Sequence, residues 1–192
     1  MSFKQINHSN QLKNQNQDIT LLLERCKENN QKAQMTLYTM YYKGMYNVAF
    51  RIVSDAMLAE DIMQESFLKA FAKLDSYSGM VTFGAWMKKI VVNTSINELK
   101  KSNKYQFESI NDTEDILDAI SDNLDSYDQL KAENILKTIQ NLKPNYKIIL
   151  TLFFIEGYDL EEIEGILNIS NQNCRTMMSR AKDSLRKKLN EL

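Results

Sequence analysis

The sequence predicts an all-α protein built as two small helical domains joined by an acidic linker. Three observations carry that prediction. Five glycines and one proline in 192 residues are too few for the corners of a β-sandwich or barrel. Apolar residues recur at threes and fours over long stretches, the period of helices with one buried face. Between those stretches, Glu108, Asp112, Glu114, Asp115, Asp118, Asp122, Asp125 and Asp128 follow one another with no Lys or Arg among them. That segment is too charged to form a core, so it divides the chain.

Taken in order, residues 1–17 are rich in Asn, Gln and Lys without apolar periodicity and read as disordered. Leu21, Leu22, Leu23 and Cys26 begin a short helix. Ala33, Met35, Leu37, Met40, Tyr41, Met45, Val48, Ala49 and Ile52 then read as a buried helical face. Ser54 and Asp55 break it and can cap the next helix, which holds Leu58, Ile62, Phe67, Ala70, Phe71 and Leu74. A loop over Asp75–Thr82, with Gly79 in it, precedes a helix containing Phe83, Trp86, Ile90, Val91, Thr94 and Leu99. These elements make one domain, residues 18–104. Residues 105–132 read as the acidic linker and residues 133–192 as the second domain.

In the second domain Pro144 suits the first turn of a helix, where its missing N–H costs nothing. Ile148, Ile149, Leu152, Phe153 and Ile155 follow, and Gly157 can end that helix in a left-handed conformation. Asp159 with Glu162 forms a capping-box pattern ahead of Ile163, Ile166 and Leu167. Asn168 tolerates a left-handed turn. Ser170 or Asn171 can cap a last helix in which Cys174, Met178, Ala181, Leu185 and Leu189 make an apolar stripe. A helix, a tight turn and a second helix form a helix-turn-helix. Such pairs also occur in bundles that never touch DNA, so this feature alone leaves both roles open.

Several function classes are excluded. Two cysteines far apart cannot build a disulfide framework and have no metal spacing, which fits a reducing cytoplasm. No secretory signal or run of eighteen apolar residues occurs. His8 is the sole histidine, there is no glycine-rich phosphate loop, and the cysteines lack nucleophilic partners. Neither a catalytic site nor a metal or cofactor is expected. The net charge of −1 hides local basic clusters, at Lys88, Lys89, Lys100, Lys101 and Lys104, and at Arg175, Arg180, Lys182, Arg186, Lys187 and Lys188.

The order of these features resembles the extracytoplasmic-function (ECF) sigma factors, the smallest group of the bacterial sigma-70 class. The resemblance lies in AEDIMQESFLKAF (Ala59–Phe71), FGAWMKKIVVN (Phe83–Asn93) and NELKK (Asn97–Lys101) for region 2. For region 4 it lies in Leu142–Ser170 and SRAKDSLRKKL (Ser179–Leu189). It implies a cytoplasmic transcription initiation factor that binds core RNA polymerase, through the coiled-coil of its largest subunit. Region 2 would melt the −10 promoter element, region 4 would contact the −35 element, and the linker would thread a polymerase channel. Membrane-bound anti-sigma factors control many members of the family.

By the same resemblance Asp61, Gln64 and Glu65 fall in the polymerase-binding motif, a carboxylate-rich helix face for basic and polar partners. Lys89, Lys100, Lys101 and Lys104, with Asn93 and Asn97, are the candidate promoter contacts of the first domain, lysine for phosphate and Asn for a base edge. Capture of flipped bases falls to the loop Ser76–Thr82, whereas Phe83 and Trp86 read as core aromatics. In the last helix Asn173, Arg175, Thr176 and Arg180 are the candidate DNA contacts. The sequence departs from the family at Val92, where arginine is frequent, at Asn97, where aspartate is common, and along Asn171–Met177.

Cys174 and Met178 fit the inward stripe. Met177 is assigned with Asn173, Thr176 and Arg180 to the outward face, where its thioether cannot donate a hydrogen bond. On that assignment region 4 reads the −35 element weakly by itself, and Met177→Arg should tighten duplex binding. Met177 then becomes a partner contact, and an alternative function follows: a sigma-like adaptor whose promoter choice depends on a DNA-targeting recruiter docked on region 4. An ordinary helix-turn-helix regulator is disfavoured by Asp61, Gln64 and Glu65.

Overall fold

The structure, a computed structural model, describes residues 18–102 and 129–191. The expected disordered N-terminus, most of the acidic linker and the candidate Lys104 lie outside the described residues. The elements are α1 (18–27), α2 (Gln31–Val53), α3 (Ala56–Ala72), a 3₁₀ turn (Leu74–Ser76), α4 (Phe83–Lys101), α5 (Gln129–Gln140), α6 (Pro144–Leu150), a π-helical turn (Thr151–Ile155), α7 (Leu160–Leu167) and α8 (Asn171–Asn190). No strand occurs among the described residues. The chain divides into two compact units, one of residues up to Phe50 with Ser54–Thr94, the other of Arg51–Val53 with Ser95 onward.

In the first unit α2 and α3 start where the sequence supplies a side-chain acceptor. The Asn30 side chain accepts from the Ala33 N–H at 3.1 Å and Asp55 from the Leu58 N–H at 3.0 Å. Between them Ser54 turns the chain at φ 55°. Aromatic edges tie the helices together: Tyr38 of α2 meets Phe67 of α3 with centroids 4.8 Å apart, and Tyr41 meets Phe83 of α4 at 5.2 Å. Leu37, Ile62, Phe67, Leu74, Phe83, Met87 and Val91 are closed off from solvent around these contacts.

The buried face of α2 is narrower than expected. Ala33, Leu37, Met45, Val48, Ala49 and Ile52 are buried, but Met35 and Met40 are 65% and 54% exposed. Met35 lies about 200° round the helix from Ala33, and Met40 sits at the margin of the buried arc.

In the second unit Pro144 opens α6 at its first position. Residues 147–152 are all buried, so the chain is covered on every side from the second turn of this helix to Leu152. Its last turn widens: the Glu156 N–H donates to the Thr151 carbonyl, five residues back, at 3.0 Å. Gly157 then turns the chain at φ 76°, with the Tyr158 N–H donating to the Leu152 carbonyl at 3.0 Å. The single α-helix expected up to Gly157 is thus an α-helix ending in a π turn. Helix α5, which the apolar pattern had not marked as a separate element, begins at Gln129 within the segment expected to be linker. It buries Ile139, and Leu142 follows it into the core. Helix α8 packs on α5, α6 and α7, and the Lys188 Nζ donates to the Asn141 carbonyl at the end of α5 at 2.7 Å.

Candidate nucleic-acid interface and docking face

Helix α3 separates its residues cleanly by face. Ala59, Ile62, Met63, Ser66, Phe67 and Ala70 point into the core. Met57, Glu60, Asp61, Gln64, Glu65 and Leu68 all point outward, the i, i+3, i+4 spacing of a single stripe. The candidates Asp61, Gln64 and Glu65 therefore share an exposed face with Glu60. The Gln64 amide donates to the Glu60 carboxylate at 3.4 Å, and Lys69 pairs with Glu65 at 2.8 Å across one turn. Sequence patterning had missed the two apolar residues that bracket this acidic patch, Met57 at 80% exposure and Leu68 at 71%. Their signal was available: both fall out of phase with the buried residues of the same helix.

Helix α4 begins under a Thr82 cap, whose Oγ1 accepts from the Ala85 N–H at 3.3 Å. Lys89 and Asn97 are exposed, and Asn93 and Lys100 half-buried. At 100° per residue these four lie within an arc of about 80°. Partial burial lowers the pKa of Lys100. Lys101 is exposed beside that arc and pairs with Glu98 at 3.0 Å. Val92, the departure from a frequent arginine, is fully buried, where an apolar side chain costs nothing and a guanidinium would be desolvated.

The loop before α4 is tied to itself. The Tyr77 hydroxyl donates to the Val81 carbonyl at 2.7 Å, and the Ser76 hydroxyl to the Lys73 carbonyl at 2.6 Å. Gly79 provides the left-handed φ of 74° at the tip. Tyr77 rests on Phe83 and Trp86, with centroids 5.9 and 5.4 Å away. Phe83 is buried and Trp86 half-buried, while Met80 at the tip is 90% exposed.

The helix-turn-helix is built by local signals in sequence. The Asp159 Oδ1 accepts from the Glu162 N–H at 2.8 Å while the Glu162 carboxylate accepts from the Asp159 N–H at 3.1 Å, a closed capping box. Asn168 takes the left-handed turn at φ 57°, ψ 52°, and Ser170 caps α8 by accepting from the Asn173 N–H at 3.3 Å. Of the candidates on α8, Asn173 and Arg175 are exposed and Thr176 and Arg180 half-exposed. The Thr176 hydroxyl donates to the Gln172 carbonyl at 2.9 Å, so its proton is engaged and its oxygen is left to accept.

The outward assignment of Met177 is overturned, because it is 1% exposed. Its buried neighbours are Cys174, Met178, Ala181 and Leu185. Residue 177 follows Cys174 by three and precedes Ala181 by four, so it belongs to the inward stripe as fully as Met178 does. The stripe is broad because α5, α6 and α7 all cover α8. Met177 is not a partner contact, and it takes no place on the outward face of α8 that would weaken base reading. Burial, with Glu164 adding and Arg175 opposing, raises the pKa of the Cys174 thiol, and burial raises that of Cys26. Both are free thiols held in their neutral form.

Among the described residues no helix is long and apolar enough to cross a membrane, and no cluster of His, Cys, Asp and Glu could hold a metal ion.

Comparison with known proteins agrees with this arrangement. Residues 37–105 match the sigma-70 region 2 family and residues 132–185 the sigma-70 region 4 family. The chain is 27% identical over 179 residues to the ECF RNA polymerase sigma factor SigW of Bacillus subtilis, covering 88% of this chain and 96% of the relative. It is 30% identical over 155 residues to the RNA polymerase sigma factor YlaC of Bacillus subtilis, covering 80% and 90%. The fold is shared with the sigma factor RpoE of Bartonella quintana, solved with the anti-sigma factor NepR, at a TM-score of 0.52 and 20% identity over 81% of this chain and 96% of that one. It is also shared with CnrH, solved with the cytosolic domain of CnrY, at a TM-score of 0.51 and 17% identity over 89% and 96%. Two helical domains in this order, each matched to its family, make the chain a member of the ECF group of sigma-70 factors, the transcription initiation factors of RNA polymerase.

Proposed function

We propose that this chain docks on core RNA polymerase through the outward face of α3 and selects promoters with its own two domains. The acidic stripe of Asp61, Gln64 and Glu65, flanked by exposed Met57 and Leu68, is the observation that carries the proposal. Exposed carboxylates alone are well solvated and need no partner. Two large apolar side chains held out of the core beside them lose free energy in water and regain it at an interface. The face combines steering charge with apolar contact, as a protein-docking surface does.

In this reading Lys89, Asn93, Asn97, Lys100, Lys101 and Lys104 follow the melted −10 region, and the loop Ser76–Thr82 receives unstacked bases beside Tyr77 and Trp86. Asn173, Arg175, Thr176 and Arg180 contact the −35 element. The domains divide near residues 104 and 133, with the acidic segment between them in the polymerase channel. The chain contributes binding and melting, while nucleotide addition belongs to the polymerase, so it works in the cytoplasm where that enzyme and its DNA are. An anti-sigma protein is a further expected partner, by analogy with the RpoE–NepR complex. No separate recruiter is invoked, since Met177 is not available to bind one.

Gel filtration with purified core polymerase, followed by permanganate mapping of promoter DNA, tests this. Co-elution and thymine reactivity around the −10 element, both lost in Asp61→Lys, are the expected results. Co-elution unchanged by Asp61→Lys and Leu68→Glu together would remove α3 as the docking face.

A further inference from the structure

The turn between α7 and α8 carries a line of side-chain hydrogen bonds that the sequence pattern does not reveal. The Asn171 amide Nδ2 donates to the Glu164 Oε2 at 2.8 Å, across seven residues and the turn. The Arg175 Nε then donates to the Asn171 Oδ1 at 2.8 Å, one helical turn further on. Glu164 is itself anchored, since its carbonyl accepts from the Asn168 and Ile169 N–H groups, the latter at 3.3 Å.

An Asn amide can turn either its oxygen or its NH₂ toward a neighbour. Here the carboxylate of Glu164 draws the NH₂, which leaves the oxygen toward the guanidinium. If the amide were turned over, its NH₂ would face another donor and the line would break. With Nε engaged, Arg175 keeps its two terminal nitrogens for a partner, the end-on pair that matches O6 and N7 of a guanine in the major groove. An exposed arginine otherwise samples many rotamers and must be ordered at binding.

We propose that Glu164 and Asn171 are positioning residues that fix Arg175 for end-on contact with a guanine. The proposal rests on the reading of α8 as the −35 contact, and it adds two residues not counted among the candidate contacts.

The test uses the full chain with core polymerase and a promoter library randomised across the upstream element, read by sequencing of the bound fraction. Arg175→Ala should erase preference for one guanine by a factor of about ten or more. Asn171→Ala should weaken that same preference by roughly three- to tenfold, the factor gained by ordering a rotamer-rich side chain in advance. Combined with Arg175→Ala, it should add nothing. Asn171→Asp sets its carboxylate against that of Glu164, so the line breaks and the preference should weaken as in Asn171→Ala, whereas Glu164→Gln, whose amide oxygen still accepts from the Asn171 Nδ2, should keep it.

Unchanged selectivity in Asn171→Ala, alongside a lost guanine in Arg175→Ala, would overturn the positioning role and leave the −35 reading intact. An equal effect of Asn171→Ala with and without Arg175 would show an independent role and overturn it too. A uniform loss across all sequences in Arg175→Ala would assign Arg175 to a phosphate and overturn guanine readout. If Arg175→Ala changed neither affinity nor selectivity, the reading of α8 itself would fail at this residue.

Discussion

Met177 lies one turn beyond Cys174 on the face of α8 that α5, α6 and α7 cover, and both side chains are withdrawn from solvent. Their relationship decides what the last helix can do. A thioether at an outward position would weaken base reading, whereas one in the core leaves the outward face to Asn173, Arg175, Thr176 and Arg180.

Substitution at 177 therefore affects folding of the second domain before it affects DNA. Met177→Ala should destabilise that domain by about 2–4 kcal/mol, the cost of a buried Met truncated to Ala. Met177→Arg should do more, because the guanidinium is buried without a partner. Helical circular dichroism during thermal unfolding measures both. A folded Met177→Arg protein with tighter duplex binding would return the residue to the outward face.

The outward face of α3 should behave in the opposite way. Leu68→Glu and Met57→Glu should weaken core polymerase binding by at least about tenfold, as apolar anchors at an interface do, while the melting temperature stays unchanged because both side chains are already in water. Phe67→Ala, one residue inward, should cost about 3–5 kcal/mol of stability. Surface plasmon resonance against core polymerase, with thermal melts in parallel, separates the two responses.

Tyr158 sets an alkaline limit. Burial, with Glu156 and Glu162 adding, pushes its phenol from 10 up to about 12. The protonated form is the one the fold favours, so its contribution is complete below pH 10 and is lost as pH rises from 10 to about 12. Two pH units correspond to roughly 2–3 kcal/mol at most. Chemical denaturation at several pH values should show this decline in the native chain and a flatter profile in Tyr158→Phe. An unchanged alkaline decline in the variant would assign it to other groups.

Lysine on the exposed arc of α4 should act through phosphate. Lys89→Ala should reduce the slope of log affinity against log salt by about one unit, with base preference unchanged. A change of preference without a change of slope would make Lys89 a base contact.

What the sequence made legible was whatever depends on near neighbours in the chain. The caps at Asp55 and Ser170, the Asp159–Glu162 box, the left-handed Asn168 and Gly157, and the first-turn Pro144 are all three- to five-residue patterns. Their geometry follows from which side chains can reach which backbone groups. That Asp61, Gln64 and Glu65 share one exposed face of α3 was legible for the same reason, since one face of a helix is a matter of spacing. Met177 was misassigned because the width of a buried stripe depends on how many elements cover it. The third of them, α5, has Leu136 exposed and, among its described side chains, only Thr138 and Ile139 buried, too weak a periodicity to stand out beside acidic sequence. The Glu164–Asn171–Arg175 line was hidden because it crosses the turn, where side-chain directions depend on the φ of Asn168.

The most direct test of the central claim is run-off transcription with purified core polymerase, this chain alone and a library of randomised promoters. The account predicts strong enrichment of two short motifs at a fixed separation, with one guanine of the upstream motif lost in Arg175→Ala and all transcripts lost in Asp61→Lys. Transcripts enriched only for the downstream motif, with no upstream preference until another protein is added, would contradict unaided promoter choice by the two domains.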